Sequence, residues 1–151
     1  MVLLRKMLVP PVLLLFFLLF DLLIAGRELW AWRPLFFAFA LIPLILSSVI
    51  VCGTLRQFHL HRTTLNPLRA DEASVLITDG WFRYSRNPLY LAMIGVQLAL
   101  IILTAKPLLL LTLPLFSYLL TVLHILPEEV ELARLFPREW PDYARRVRRW
   151  I

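Results

Sequence analysis

The chain has 151 residues, 60% of them hydrophobic, with a mean hydropathy of +0.77 and a formal net charge of +6. Soluble domains hold about 45–50% apolar residues, so composition argues against an ordinary water-soluble globule. The apolar residues come in blocks, and about 18 in a row cross a hydrocarbon core about 30 Å thick at about 1.5 Å per helical residue. In such a chain the positive charge reads as membrane orientation and an anionic phospholipid surface, not as nucleic-acid binding.

In chain order, the pattern predicts an all-α integral-membrane helical bundle of about four spans in a single domain, residues 1–151. The first span is predicted over residues 7–24. It follows Arg5 and Lys6 as a signal peptide would, but its apolar run is long and only a weak small-residue site follows, so it is read as an uncleaved span. Asp21 stands isolated within it. Trp30 and Trp32 suit a membrane interface. The second span is predicted over residues 35–52, ending at the lone Cys52, which has no partner for an internal disulfide. A polar loop, 53–87, then leads to a third span over 88–104. Ala105 and Lys106 separate it from a fourth over 107–126, so these two form a tight hairpin. A polar tail, 127–151, completes the chain.

The cations are unevenly placed. Thirteen of the sixteen Lys and Arg lie in the N-terminus, the 53–87 loop and the tail, and three lie on the other side. The positive-inside rule puts both termini and the loop in the cytoplasm, most simply at an inner, cytoplasmic membrane. Any soluble cofactor would then bind between loop and tail.

The loop holds a β-prone run at residues 75–77 and turn chemistry at Asp79-Gly80. It ends in TDGWFRYSRNPLYLAM, residues 78–93. Pro88 suits a first helical turn, with Asn87 at or just before the N-cap. The helix start offers unpaired N–H groups and Arg86 adds a full charge, which together suit a carboxylate. Contact of Arg83 and Arg86 with lipid phosphates alone is an equal reading. His59 and His61 have no third ligand at suitable spacing, so no metal site is expected.

In the fourth span Ser117, Thr121, His124 and Glu128 are spaced 4, 3 and 4 apart and share a helical face, with Pro114 as a kink candidate above. The stripe suits either a lipid-side path to the polar site or interhelical hydrogen bonds. His124 stands out because an ionisable group within a membrane is costly. Gln97 is a second isolated polar residue. In the tail, Pro127 suits a helix start, followed by Glu128, Glu129 and Glu131, where acids favour the dipole or hold a cationic group. Arg145, Arg146, Arg148 and Arg149 with Trp150 form an interfacial anchor, from which Arg145 or Arg146 can face inward.

These two motifs carry a resemblance. The residues 78–93 stretch, a tight hairpin and then PEEVELARLFPREWPDYARRVRRW resemble the isoprenylcysteine carboxyl methyltransferase and phospholipid methyltransferase group of integral-membrane enzymes. The matching residues are Gly80, Phe82, Arg83, Tyr84, Arg86, Pro88 and Tyr90, then Glu128, Glu129, Leu132, Phe136, Tyr143 and Val147. Residues 63–67 resemble the segment preceding the first motif in bacterial members. Asn87 stands where His is common, Trp81 for Pro, Pro137 for Gly and Trp140 for Tyr. The resemblance implies S-adenosylmethionine held by Gly80, Tyr84, Arg86, Asn87, Pro88, Tyr90, Glu128, Glu129 and Tyr143. Arg86 would hold its carboxylate, a glutamate its amine or ribose, and Tyr84 and Tyr90 its adenine. Arg86, Glu129, His124 and Arg146 are the expected catalytic group. The acceptor would be a membrane-embedded lipidic or prenylated molecule, with carboxyl O-methylation favoured and phospholipid N-methylation the alternative. A sterol-reductase-like enzyme, which would need room for a nicotinamide, and a non-catalytic scaffold are the competing functions.

Overall fold

The computed structural model describes residues 9–26, 34–61 and 75–151. Arg5, Lys6, Arg27, Trp30, Trp32, Arg33, Arg62, Arg69, the first two residues of the expected first span and the 63–67 segment lie outside them. Among the described residues five helices follow one another: α1 Pro10–Ala25, α2 Pro34–His61, α3 Pro88–Thr104, α4 Pro107–Leu135 and α5 Trp140–Arg146, with a 3₁₀ turn at Gly80–Arg83 before α3. Each of α1, α3, α4 and α5 carries proline in its first turn, where the missing N–H would be unpaired anyway. There is no strand among the described residues. The β-prone run at 75–77 is irregular chain whose Ile77 is buried.

α2 and α4 are long and apolar enough to cross a membrane, and α1 and α3 are shorter apolar helices. In the most apolar stretch of α2 only 17% of residues are buried, and in that of α4 33%. A core helix of a soluble protein would be mostly buried, so these outward faces (Ile42, Ile45, Leu108 and Tyr118 among them) suit lipid as solvent. α2 continues beyond Cys52 to His61, and its last two turns leave the apolar zone.

α3 is the hub and touches α1, α2 and α4. Its crossing with α2 is tight because Gly95 lies against Ser47. A Cβ at 95 would collide with Ser47 Oγ and press on the Pro43 carbonyl. Gly95→Val is therefore expected to destabilise the bundle by about 1–3 kcal/mol through overpacking, seen as a lower unfolding temperature in detergent. Leu13 and Phe17 of α1, Tyr90 of α3, and Phe116, Leu120 and Ile125 of α4 form the apolar core, with Phe17 and Phe116 5.1 Å apart. Asp21 and Gln97, which look isolated in the sequence, meet across helices. Gln97 Nε2 donates to Asp21 Oδ2 at 3.1 Å and to Thr112 Oγ1 at 2.8 Å, so one polar cluster ties α1, α3 and α4. Each such bond contributes about 0.6–2 kcal/mol in a membrane.

The α3–α4 reversal takes two residues because Ala105 adopts the left-handed conformation, φ 52°. Lys106 Nζ then donates to the Ile24 carbonyl at 3.1 Å, so the end of α1 sits beside this hairpin. The opposite end, where α2 stops and α3 starts, is the polar end.

α4 does not break at Pro127, where a separate tail helix is expected to start. It passes through a π turn at Thr121–Ile125, with the Leu126 N–H reaching back five residues to Thr121 O. Proline has no N–H to give and its ring crowds the carbonyl four residues back. Widening the preceding turn relieves both, and the helix continues to Leu135. Ser117 and Thr121 bond their own helix, to Leu113 O at 2.8 Å and Ser117 O at 2.7 Å. Both hydroxyls therefore donate within their own helix.

Candidate active site at the polar end

Three pieces of chain meet at the polar end: the residues leading into α3, the last turns of α4, and the tail after α5. α5 ends at Arg146, and Val147 is extended (φ −115°, ψ 130°), so the tail beyond it is no longer helical. It runs beside the approach to α3. The Arg86 N–H donates to Arg148 O at 3.0 Å, Ser85 Oγ to Arg149 O at 3.3 Å, and Asn87 Nδ2 to the same carbonyl at 3.0 Å. Asn87 occupies the N-cap position of α3, yet its side chain makes no cap bond. It binds the tail instead.

Glu129 is the centre of the cluster. Its Oε1 accepts from Arg86 at 2.9 Å and from Arg149 Nε at 3.0 Å, and its Oε2 from the second arm of Arg149 at 2.7 Å. Its side chain is 14% exposed and that of Arg86 12%. Paired guanidiniums on one shielded carboxylate are short, charge-assisted bonds of high geometric specificity. Glu129 raises the pKa of the Arg149 guanidinium above its usual value, chiefly through the hydrogen bond. Arg86 also reaches the Ala144 carbonyl at 3.4 Å and lies 5.5 Å over the Trp140 ring. Its Nε is buried and has no hydrogen-bond partner among the described residues.

One residue earlier on α4, Glu128 accepts a 2.6 Å bond from the Tyr90 hydroxyl. The Tyr90 ring stacks on His124, with centroids 6.4 Å apart and planes at 28°. His124 sits in the π turn and is fully buried, so Glu128, Tyr90 and His124 form a continuous row leading inward from the polar end. On the other flank, Tyr143 is buried and donates to Phe82 O at 2.9 Å, which pins the 3₁₀ turn to α5. Burial pushes the Tyr143 phenol well above its ordinary value. A raised phenol stabilises the fold below about pH 10, and that stability is lost as pH rises past the unfolded value. Tyr143→Phe is expected to flatten this alkaline loss, measured as unfolding temperature between pH 9 and about 11.

Of the expected site residues, Arg86, Asn87, Pro88, Tyr90, His124, Glu128, Glu129 and Tyr143 come together here. Gly80 and Tyr84 do not join them. They line a neighbouring recess, and Tyr84 is 68% exposed. Arg146 is exposed on α5 with its Nε 3.3 Å from Asp142 O, and Arg145 is exposed as well. The arginine that faces inward is Arg149. Helical spacing could not find it, because the helix ends three residues earlier. His61 faces Asp79 at 3.1 Å, and His59 is exposed.

The fold and this cluster define a helical membrane protein with a charged, partly shielded site at one end of its bundle. A family model described as phospholipid methyltransferase matches residues 35–139, well over half of the chain, and the chain belongs to that family of membrane methyltransferases. The match covers α2, α3, α4 and both halves of the cluster except the tail. No curated protein and no solved structure gives a significant match.

Proposed function

We propose that the chain is an S-adenosylmethionine-dependent methyltransferase whose cofactor is held at the Arg86–Glu129–Arg149 cluster. The carrying observation is Glu129 clamped by two guanidiniums beside the start of α3. The donor set suits the cofactor. The unpartnered Arg86 Nε and the Arg149 guanidinium suit its carboxylate, and Glu128 and Glu129 suit its amine and ribose hydroxyls. Tyr90 and Trp140 offer aromatic surface, and Asn87 and Pro88 shape the helix start. Tyr143 is a positioning residue. Arg149 takes the role expected of Arg146, and Gly80 and Tyr84 stand apart from this set. Thirteen of sixteen cations flank the polar end in sequence, which supports a cytoplasmic orientation of this end in an inner membrane.

S-adenosylmethionine, when bound, supplies a methyl group on a positively charged sulfur. What the chain contributes is alignment and exclusion of water. Alignment alone is worth up to about 7–11 kcal/mol in well-oriented systems, and a dry site favours a reaction that neutralises charge. A carboxylate acceptor is already ionised at neutral pH and needs no base. An amine must lose a proton, and His124, the basic side chain of the inward row, is fully buried. That contrast favours carboxyl O-methylation of a lipidic or prenylated acceptor. The family description favours the second reading, transfer to a phospholipid amine, for which the Glu128–Tyr90–His124 row is the proton acceptor.

Incubation of the purified protein with a membrane lipid extract and methyl-labelled cofactor tests both. Label in a lipid product is expected. Release of that label by mild base as methanol identifies an ester, and retention identifies an N-methyl group. A folded sample that labels no lipid refutes the proposal. Asn87→Ala is expected to lower the rate about tenfold by loosening the tail, at a stability cost of about 1 kcal/mol for the lost bond, read from initial rates and unfolding temperature.

A further inference from the structure

The recess beside the active-site cluster has its own chemistry. It measures about 600 Å³ and lies between the last turns of α2, with Gly53, Arg56 and Gln57, and the 3₁₀ turn, with Trp81, Arg83 and Tyr84. None of these side chains takes part in the Glu129 cluster. Two glycines create it. A Cβ at Gly53 would strike the Trp81 indole nitrogen, and one at Gly80, where φ is +57°, would strike the Gln57 amide. Gln57 and Trp81 are thereby fixed as its walls.

Arg56 and Arg83 come from different elements and face the same space, and neither has an ion-pair partner among the described residues. Asp79, the acid adjoining the turn, is engaged by His61. Gln57 Oε1 is a buried acceptor with no donor among the described residues. The recess therefore asks for a ligand that carries an anion and, near it, an N–H or O–H donor. The Trp81 and Tyr84 rings, 6.1 Å apart, add the amphipathic surface found at membrane interfaces.

Depth identifies the source. Residues 34–55 of α2 contain no charged side chain, and these 22 residues span about 33 Å at about 1.5 Å each, which matches a hydrocarbon core of about 30 Å. Arg56 is the first charge beyond that span and so sits in the phosphate layer. We propose that this recess binds the headgroup of a glycerophospholipid, with its phosphate on Arg56 and Arg83 and its headgroup hydroxyl or ammonium donating to Gln57 Oε1. The proposal is independent of the donor-site reading, because it concerns different side chains and is tested without cofactor.

The test is native mass spectrometry of the purified chain in micelles holding equal amounts of phosphatidylglycerol, phosphatidylethanolamine and phosphatidylcholine. The first two have a headgroup donor and the third has none. The wild type is expected to retain the first two over the third. Arg56→Gln and Arg83→Gln are each expected to lower that retention about fivefold, the effect of one cation at a lipid surface, and about 25-fold together. Arg134→Gln with Arg138→Gln, exposed elsewhere, is expected to leave it unchanged. Unfolding temperatures establish that each variant is folded, and Arg56→Gln, at an exposed position, carries the test alone if the double variant is not. Loss of bound lipid on adding inorganic phosphate assigns the site to phosphate in general, and retention assigns it to the lipid. Equal retention of all three lipids by the wild type, or undiminished retention in the Arg56→Gln variant, overturns the proposal.

Discussion

Glu129→Gln is expected to lower kcat/KM for methyl transfer by at least about 100-fold, which corresponds to about 2.7 kcal/mol of transition-state stabilisation. The substitution keeps shape and one acceptor oxygen but removes the charge that Arg86 and Arg149 share. Two guanidiniums are then left beside a neutral amide. Removing one member of a buried ion pair costs about 3–5 kcal/mol. Here Arg149 is 35% exposed, so water compensates part of that and a stability loss of about 2 kcal/mol is expected. Loss of activity without loss of cofactor affinity would contradict a binding role for Glu129. Initial rates and titration with the cofactor separate the two.

Arg86→Lys is expected to be nearly as damaging as Arg86→Ala, with both lowering kcat/KM at least about 50-fold. Arg86 uses the shape of its guanidinium. One nitrogen meets Glu129, another the Ala144 carbonyl, the plane lies over Trp140, and the Nε faces a buried position with no partner among the described residues. A lysine brings the charge but not the fork or the plane. If Arg86→Lys kept wild-type activity, Arg86 would be acting as a point charge alone, and its proposed grip on a carboxylate would be wrong. The comparison needs only initial rates on three proteins of equal unfolding temperature.

How far these features were legible in the sequence depends on the range of the force involved. The all-helical membrane bundle was legible, because hydropathy is a local property and lipid demands internally satisfied backbone. The α3 start was legible for the same reason, since proline and the residue before it act on their own backbone. The meeting of Arg86 with Glu129 followed from chain order, through a tight hairpin that returns α4 to the level where α3 begins. Three things were not legible. Pro127 reads locally as a helix start, yet α4 absorbs it through a π turn, because packing on α1 and α3 holds the helix before it, and the Tyr90–Glu128 bond and contacts with α5 hold it beyond. Asp21 and Gln97 look like separate anomalies, since nothing in a sequence gives the rotation of one helix against another. Arg149 reads in the sequence as part of the interfacial anchor, because helical spacing stops at Arg146 and extended chain delivers it to Glu129. Asn87 stands where histidine is common in the resembling group, and the structure gives it a bond to the tail that its amide makes without titrating.

Calorimetric titration of the purified, folded protein with S-adenosylmethionine, beside the Glu129→Gln variant, decides whether the Arg86–Glu129–Arg149 cluster holds the cofactor. One saturable site is expected in the wild type, with at least about tenfold weaker binding in the variant. No binding by the wild type, or equal binding by both, would contradict it.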